Sequence, residues 1–359
     1  MEHFESFGNS HFISIGGWIN AIIPILIVPY YSVIGGWVIK YLIEYFAGHS
    51  KTLAGDAYFT TFISNGWSTE ICFIIFTLFT LGIIYAGVRN GIERVSRFMM
   101  PILIVLSLII AVYSVTRPGA IEGVKYFLVP NFDHFSWMTV VSAMGQMFYS
   151  LSIAMGILIT FGSYMKKDTS IEKSTENVEI FDTAIAIMAG LMIIPAVFAF
   201  NIAPNAGPTL MFITLPNVFA QMTFGQLFAI LFFVSVAFAG ITSLLNMFEA
   251  VSESWQTRFN LSRKTAVTLC SIIALFIGVF IEAEPKFGPW MDIVTIYIVP
   301  FGAVLGAFSI YYILGYKEIR QELELARKPL GAYFGITAKY IYVPLTIIIF
   351  VLGIIYGGI

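Results

Sequence analysis

Between Gly145 and Met165 the chain reads GQMFYSLSIAMGILITFGSYM, long enough to cross a bilayer yet carrying Tyr149, Ser150 and Ser152 before its middle and Gly156 beyond them. Hydrocarbon offers no water to unpaired backbone groups, so an unwound segment persists there only where protein encloses it or a filled cavity meets it. Freed carbonyls and hydroxyls at such a break can coordinate an ion or hold a polar ligand. The residues allow two readings: a helix interrupted for that chemistry, or a continuous helix whose serines bond back to their own carbonyls or to a neighbour. A second oxygen-rich stretch is AGITS, where Ala239, Thr242 and Ser243 bring one carbonyl and two hydroxyls to one helix face at i, i+3 and i+4. Such hydroxyls also serve as hydrogen-bonding glue between helices. Asp182 is the third locus, because a carboxylate in an apolar run is costly and marks ion or proton pathways. Its alternative role is that of a helix-start aspartate bonding the first-turn amides.

Enzyme chemistry finds no comparable support. His3, His11, His49 and His134 lie in terminal or loop segments, and no two have the i, i+4 spacing of a metal-binding pair on one helix. Cys72 and Cys270 sit inside apolar runs as small hydrophobes. No phosphate-binding glycine loop of the P-loop kind occurs.

The elements that must position these groups are membrane helices. A 359-residue chain with 58% hydrophobic and 11% charged residues cannot hide its apolar surface in a soluble core. A net charge of −2 carries no basic excess for nucleic acid, and the opening MEHFESFGNSHF lacks the basic start and short apolar stretch of a cleavable signal peptide. Apolar runs of spanning length fall at roughly 13–47, 69–87, 100–116, 137–165, 178–202, 225–250, 265–282, 288–314 and 337–357, which predicts about nine transmembrane helices. Prolines inside them (Pro24, Pro29, Pro195, Pro300, Pro344) are tolerable where neighbouring helices satisfy the freed groups.

Basic residues orient the bundle. One set of alternate loops holds Arg89, Arg94 and Arg97; Lys166, Lys167 and Lys173; Arg258, Arg263 and Lys264; and Lys317, Arg320, Arg327 and Lys328. The opposite set holds only Lys51, Arg117, Lys125 and Lys286. Positive charge stays inside, so the N-terminus is expected in the cytoplasm and the C-terminus outside, in a multi-pass protein of the cell membrane. Residues 117–136 form a long external link, and residues 203–224 are apolar but broken by Pro204, Gly207, Pro208 and Pro216. Such a segment folds back onto the bundle, either as a lid over a central cavity or as a hairpin packed on the surface.

Several separated segments resemble one family. YYSVIGGW (30–37), GVRNGIERVSRFMMP (87–101), GQMFYSLSIAMGILITFGSYMKKD (145–168), GPTLMFITLPNVFAQ (207–221) and AGITSLLN (239–246) are similar, in order, to the neurotransmitter:sodium symporter family, the bacterial sodium-dependent amino-acid transporters of the leucine-transporter fold. The resemblance implies an all-α polytopic membrane bundle with an inverted repeat, forming one transmembrane transporter domain over residues 1–359. In the alignment the first helix here corresponds to the family's third and the last to its eleventh. The family's first two helices, with their GNxWRFP-type half-site, are unmatched, so the fold is expected to be N-terminally truncated.

The resemblance also implies a site. Tyr31 matches a tyrosine that meets the substrate carboxylate, and Ile27 a pocket residue one turn earlier. From the broken helix, Tyr149 aligns with an aromatic lid, Ser152 with an unwound backbone contact and Met155 with a pocket wall, while Ser243 and Met247 close the pocket from another helix. Walls of Ile, Tyr and Met suit an apolar or aromatic amino acid. Two Na+ sites are implied, each incomplete in this chain. The first takes Ser150 and Asp182, where many members have asparagine; the second takes Ala239, Thr242 and Ser243, oxygen donors suited to a hard cation. A carboxylate at Asp182 could replace the chloride that some members need. Asp292 matches an external gate carboxylate whose arginine partner belongs to the unmatched first helix, and Thr257 stands where an internal gate aspartate is common.

The expected function is therefore a sodium-coupled amino-acid symporter, or its larger part, working by alternating access in the lipid bilayer. A separate segment supplying the remaining helices is an expected partner. The competing expectation is a truncated membrane protein that does not transport, since half a cage does not couple ion to substrate.

Overall fold

The computed structural model describes residues 11–166, 168–200, 207–282, 286–324 and 333–356. The sequence features at His3, Lys167, Pro204, Arg327 and Lys328 lie outside them. Among the described residues every regular element is helical. The main ones are α1 (His11–Phe46), α2 (Gly66–Tyr85), α3 (Val88–Val115), α4 (Ala120–Leu128), α5 (Trp137–Ser150), α6 (Ile157–Ser163), α7 (Ile171–Ala199), α8 (Leu215–Gln221) and α9 (Gly225–Phe259). They are followed by α10 (Arg263–Ile281), α11 (Phe287–Leu314), α12 (Tyr316–Glu324) and α13 (Tyr333–Tyr356). Eight of these are long and apolar enough to cross a membrane. The remaining expected span, 137–165, is divided between α5 and α6.

α1 is the axis of the bundle. Its 36 residues include Pro24 and Pro29, and 72% of its most apolar window is buried, against 22% for α7. A helix apolar all round belongs inside its bundle, and α1 packs along α9 and α2 and also meets α10 and α11. Close approach to α2 requires Gly36, where an added Cβ would lie 2.6 Å from the Phe73 backbone nitrogen. α7 packs on α3 and α4 at the periphery.

Of five wide π-helical turns among the described residues, three, Leu210–Thr214, Ile293–Ile298 and Ala338–Tyr342, end two residues before Pro216, Pro300 and Pro344. Proline lacks an amide proton and its ring crowds the carbonyl one turn back, so the preceding turn widens instead of straining. The apolar 207–221 segment docks rather than floats: Phe212, Leu215, Val218 and Phe219 are buried. The Tyr41 hydroxyl donates to the Phe212 carbonyl at 2.7 Å, and Trp37, Phe59 and Phe233 ring the Phe212 side chain. The external link expected at 117–136 contains α4, whose Gly123 lies against α7.

Candidate functional site

The helix expected to break does so. α5 ends at Ser150 and α6 begins at Ile157. Two left-handed residues bracket the gap, Ser152 at φ 55° and Gly156 at φ 65°. For a residue with a Cβ, that conformation costs on the order of 1–2 kcal/mol, so Ser152 is a point of stored strain. Gly156 is required twice over, by its positive φ and because a Cβ there would lie 3.0 Å from the Asn20 carbonyl of α1. The freed backbone is only partly satisfied locally: Leu151, Ser152 and Ile153 amides return to the Met147, Tyr149 and Phe148 carbonyls.

The structure brings some of the predicted residues together in pairs and leaves others in the core. The Ser150 hydroxyl donates to an Asp182 carboxylate oxygen at 2.6 Å. Asp182 is not a helix-start residue, because α7 begins at Ile171 with Ser170 as its cap, accepting from the Lys173 amide. The dipole-complementing alternative is therefore overturned: Asp182 lies about three turns in, beyond reach of the first-turn amides. Ile27 and Met155 are buried in the core, Met247 is 5% exposed, and Tyr31 lies beside Ser243. The Thr242 hydroxyl donates to the Phe238 and Ala239 carbonyls at 2.9 and 3.0 Å. It thus shares a hydrogen bond with the carbonyl expected to act beside it, and its own lone pairs stay available.

Two cavities approach the break. One, of about 710 Å³, is bordered by Tyr31, Tyr149, Met291 and Asp292, with Gly207 at its rim. The other, of about 520 Å³, reaches Ile153 and Gly156 and is bordered by Asn20, Glu253 and Thr257. The unwound residues thus follow Tyr149, which borders the first cavity, and include Ile153, which borders the second. Asp292 is exposed and, among the described residues, makes no ion pair. Thr257, at the expected internal gate, donates to Glu253 at 2.9 Å.

Two constellations were not anticipated from the sequence. Tyr30, adjacent to Tyr31, joins its hydroxyl to that of Tyr149 at 2.8 Å. Neighbours on a helix point about 100° apart, so α1 offers one tyrosine to the broken helix and the next to α9. The doublet YY was the available signal. The second is an ion pair with a buried acid and a half-buried arginine, joined to Tyr164 just after α6. Glu249 of α9, fully buried, accepts from Arg263 at 2.8 and 2.5 Å and from the Tyr164 hydroxyl at 2.7 Å. A lone acid inside the apolar run after AGITS was its only trace.

The comparisons with known proteins agree with this architecture. A profile of the sodium:neurotransmitter symporter family matches residues 60–357. An uncharacterised sodium-dependent transporter of Bacillus subtilis (strain 168) is 33% identical over 357 residues, covering 94% of this chain and 79% of the relative. One from Methanocaldococcus jannaschii is 29% identical, covering 95% of this chain and 76% of its own length. The crystal structure of MhsT in complex with L-phenylalanine superposes with a TM-score of 0.85 at 28% identity, over 96% of this chain and 82% of that one. This all-α, multi-pass membrane protein is a transporter and not an enzyme, and it belongs to the sodium:neurotransmitter symporter family.

Proposed function

We propose that the chain is a sodium-coupled symporter, or the larger part of one, for an apolar or aromatic amino acid, working by alternating access as a single transmembrane domain. The observation that carries this reading is the unwound segment, bordered by one cavity at Ile153 and flanked by another at Tyr149, with Ser150 bonded to Asp182 at its edge. Opening one cavity while the other closes would expose a ligand at the break to alternate sides. The phenylalanine bound by MhsT supports the substrate class; Ile27, Met155 and Met247 are buried in the core and line neither cavity.

Sodium, the co-transported ion, would meet hard oxygen donors at two places: Ser150 with Asp182, and the Ala239 carbonyl with the Thr242 and Ser243 hydroxyls. Both donor sets fit the ion's chemistry, and neither alone fills a coordination shell. A tenfold sodium gradient contributes about 1.4 kcal/mol, and ~100 mV adds about 2.3 kcal/mol per charge moved. The Tyr31 hydroxyl and the Ser152 backbone would hold the substrate's polar end. Asp292 would guard the larger cavity, which on the expectation from the loop charges would open to the outer side, with the N-terminus in the cytoplasm.

Proteoliposomes test this in two arms: the chain alone, and the chain co-expressed with a two-helix segment bearing a GNxWRFP motif. Sodium-dependent uptake of radiolabelled L-phenylalanine by the chain alone identifies a complete symporter. Uptake only in the second arm identifies the larger part of one. Folded protein without uptake in either arm favours the non-transporting reading, which the exposure of Ser150 on the bundle surface already motivates.

A further inference from the structure

The Tyr30–Tyr149 hydroxyl pair lies within the interior, with Tyr30 only 2% exposed, and both rings border the larger cavity. One hydroxyl donates to the other, so both are engaged in a single hydrogen bond. The cavity is bordered by both tyrosines together with Ile34, Ile296 and Val299, and the paired hydroxyls are tied to each other. Tyr149 is also the penultimate residue of α5, one position before Ser150 and three before the left-handed Ser152. Without a tether, its ring would sit at the frayed end of a broken helix.

We propose that Tyr30 is a positioning residue, which holds the Tyr149 ring as an apolar roof between the cavity and the break through the paired hydroxyls. This deepens the amino-acid transport reading and rests on it for the substrate. The distinguishing property is mutual dependence. Removing one hydroxyl deprives the other of its partner among largely apolar neighbours, a costly state, most so for the buried Tyr30, whereas removing both leaves two phenyl rings that pack. An orphaned hydroxyl at the roof would also accept a polar group on the ligand, changing which side chains are tolerated.

The test compares Y30F, Y149F and the double variant Y30F/Y149F in the full chain. In the absence of ligand, Gln146→Cys at the cavity edge reports on the roof through its labelling rate with a membrane-impermeant thiosulfonate; the two native cysteines are buried. Each single variant is expected to label roughly threefold faster or more, and the double variant to return toward the unsubstituted rate. With sodium present, the ratio of half-saturation for L-tyrosine to that for L-phenylalanine should fall roughly fivefold in the singles and recover in the double. Singles indistinguishable from the unsubstituted protein, or a double variant as loose as either single, would overturn the proposal. If the unsubstituted chain binds no amino acid, the transport reading fails, and the labelling series by itself decides whether the pair holds the roof.

Discussion

Ser150 at the end of α5 and Asp182 within α7 are joined by a 2.6 Å hydrogen bond, although they belong to different helices and are 32 residues apart. Replacing Ser150 with Ala removes a hard oxygen donor while leaving the carboxylate. Sodium required for half-maximal thermal stabilisation, measured against potassium, should rise roughly tenfold, equivalent to about 1.4 kcal/mol.

Asp182→Asn keeps the shape and removes the charge. If the carboxylate supplies the negative charge that chloride provides in some members of the family, this variant should acquire chloride-dependent uptake where the parent shows none. Uptake by the parent that already requires chloride would end that explanation.

The Glu249–Arg263 pair makes a prediction about stability. Arg263→Ala strands a fully buried carboxylate beside Tyr164. Breaking such a pair costs about 3–5 kcal/mol, whereas replacing both charges together costs much less. Thermal unfolding in detergent should show a large loss for Arg263→Ala and a smaller one for the Glu249→Gln, Arg263→Gln double variant.

Glu282 provides a pH dependence. It is buried just beyond α10, and burial, reinforced by the nearby Glu70 carboxylate, pushes its carboxyl from 4.5 up to about 7. Below about pH 4.5 it is protonated in both folded and unfolded chains. Between there and about pH 7 only the unfolded chain releases the proton, so stability should fall as pH rises, then level off. Glu282→Gln should flatten that slope in melting curves recorded from pH 4 to 8 and raise stability at the alkaline end.

At Gly156, both the positive φ and the Asn20 carbonyl oppose a side chain. Gly156→Val should detach α6 from α1. Proteolysis between Ser150 and Ile157 is the measurement, and faster cleavage is the expected outcome.

Much of the scaffold was legible because membrane insertion writes itself into long apolar runs, and the break at Ser152 was visible because hydroxyls and glycine interrupted one of them. Helix starts were less so. Asp182 was read against a span beginning near residue 178, because the polar turns Glu172 to Glu179 carry no hydropathy signal, although they continue the same helix. Tyr30 escaped notice for a different reason: which of two adjacent aromatic residues meets which partner depends on helix rotation, which local sequence leaves open. The wide turns ahead of Pro216, Pro300 and Pro344 show the reverse case, where a residue marks a distortion whose form only the neighbouring turn reveals.

Tyr149 and Ser150 are consecutive, yet one is fastened to α1 and the other to α7. Because they share a single peptide unit at the tip of α5, a swing that parts either bond also disturbs the other. The tip thus works as one lever arm with two anchor points. Under the proposed sodium coupling, an ion leaving Ser150 and Asp182 would be felt by the ring held at the other anchor.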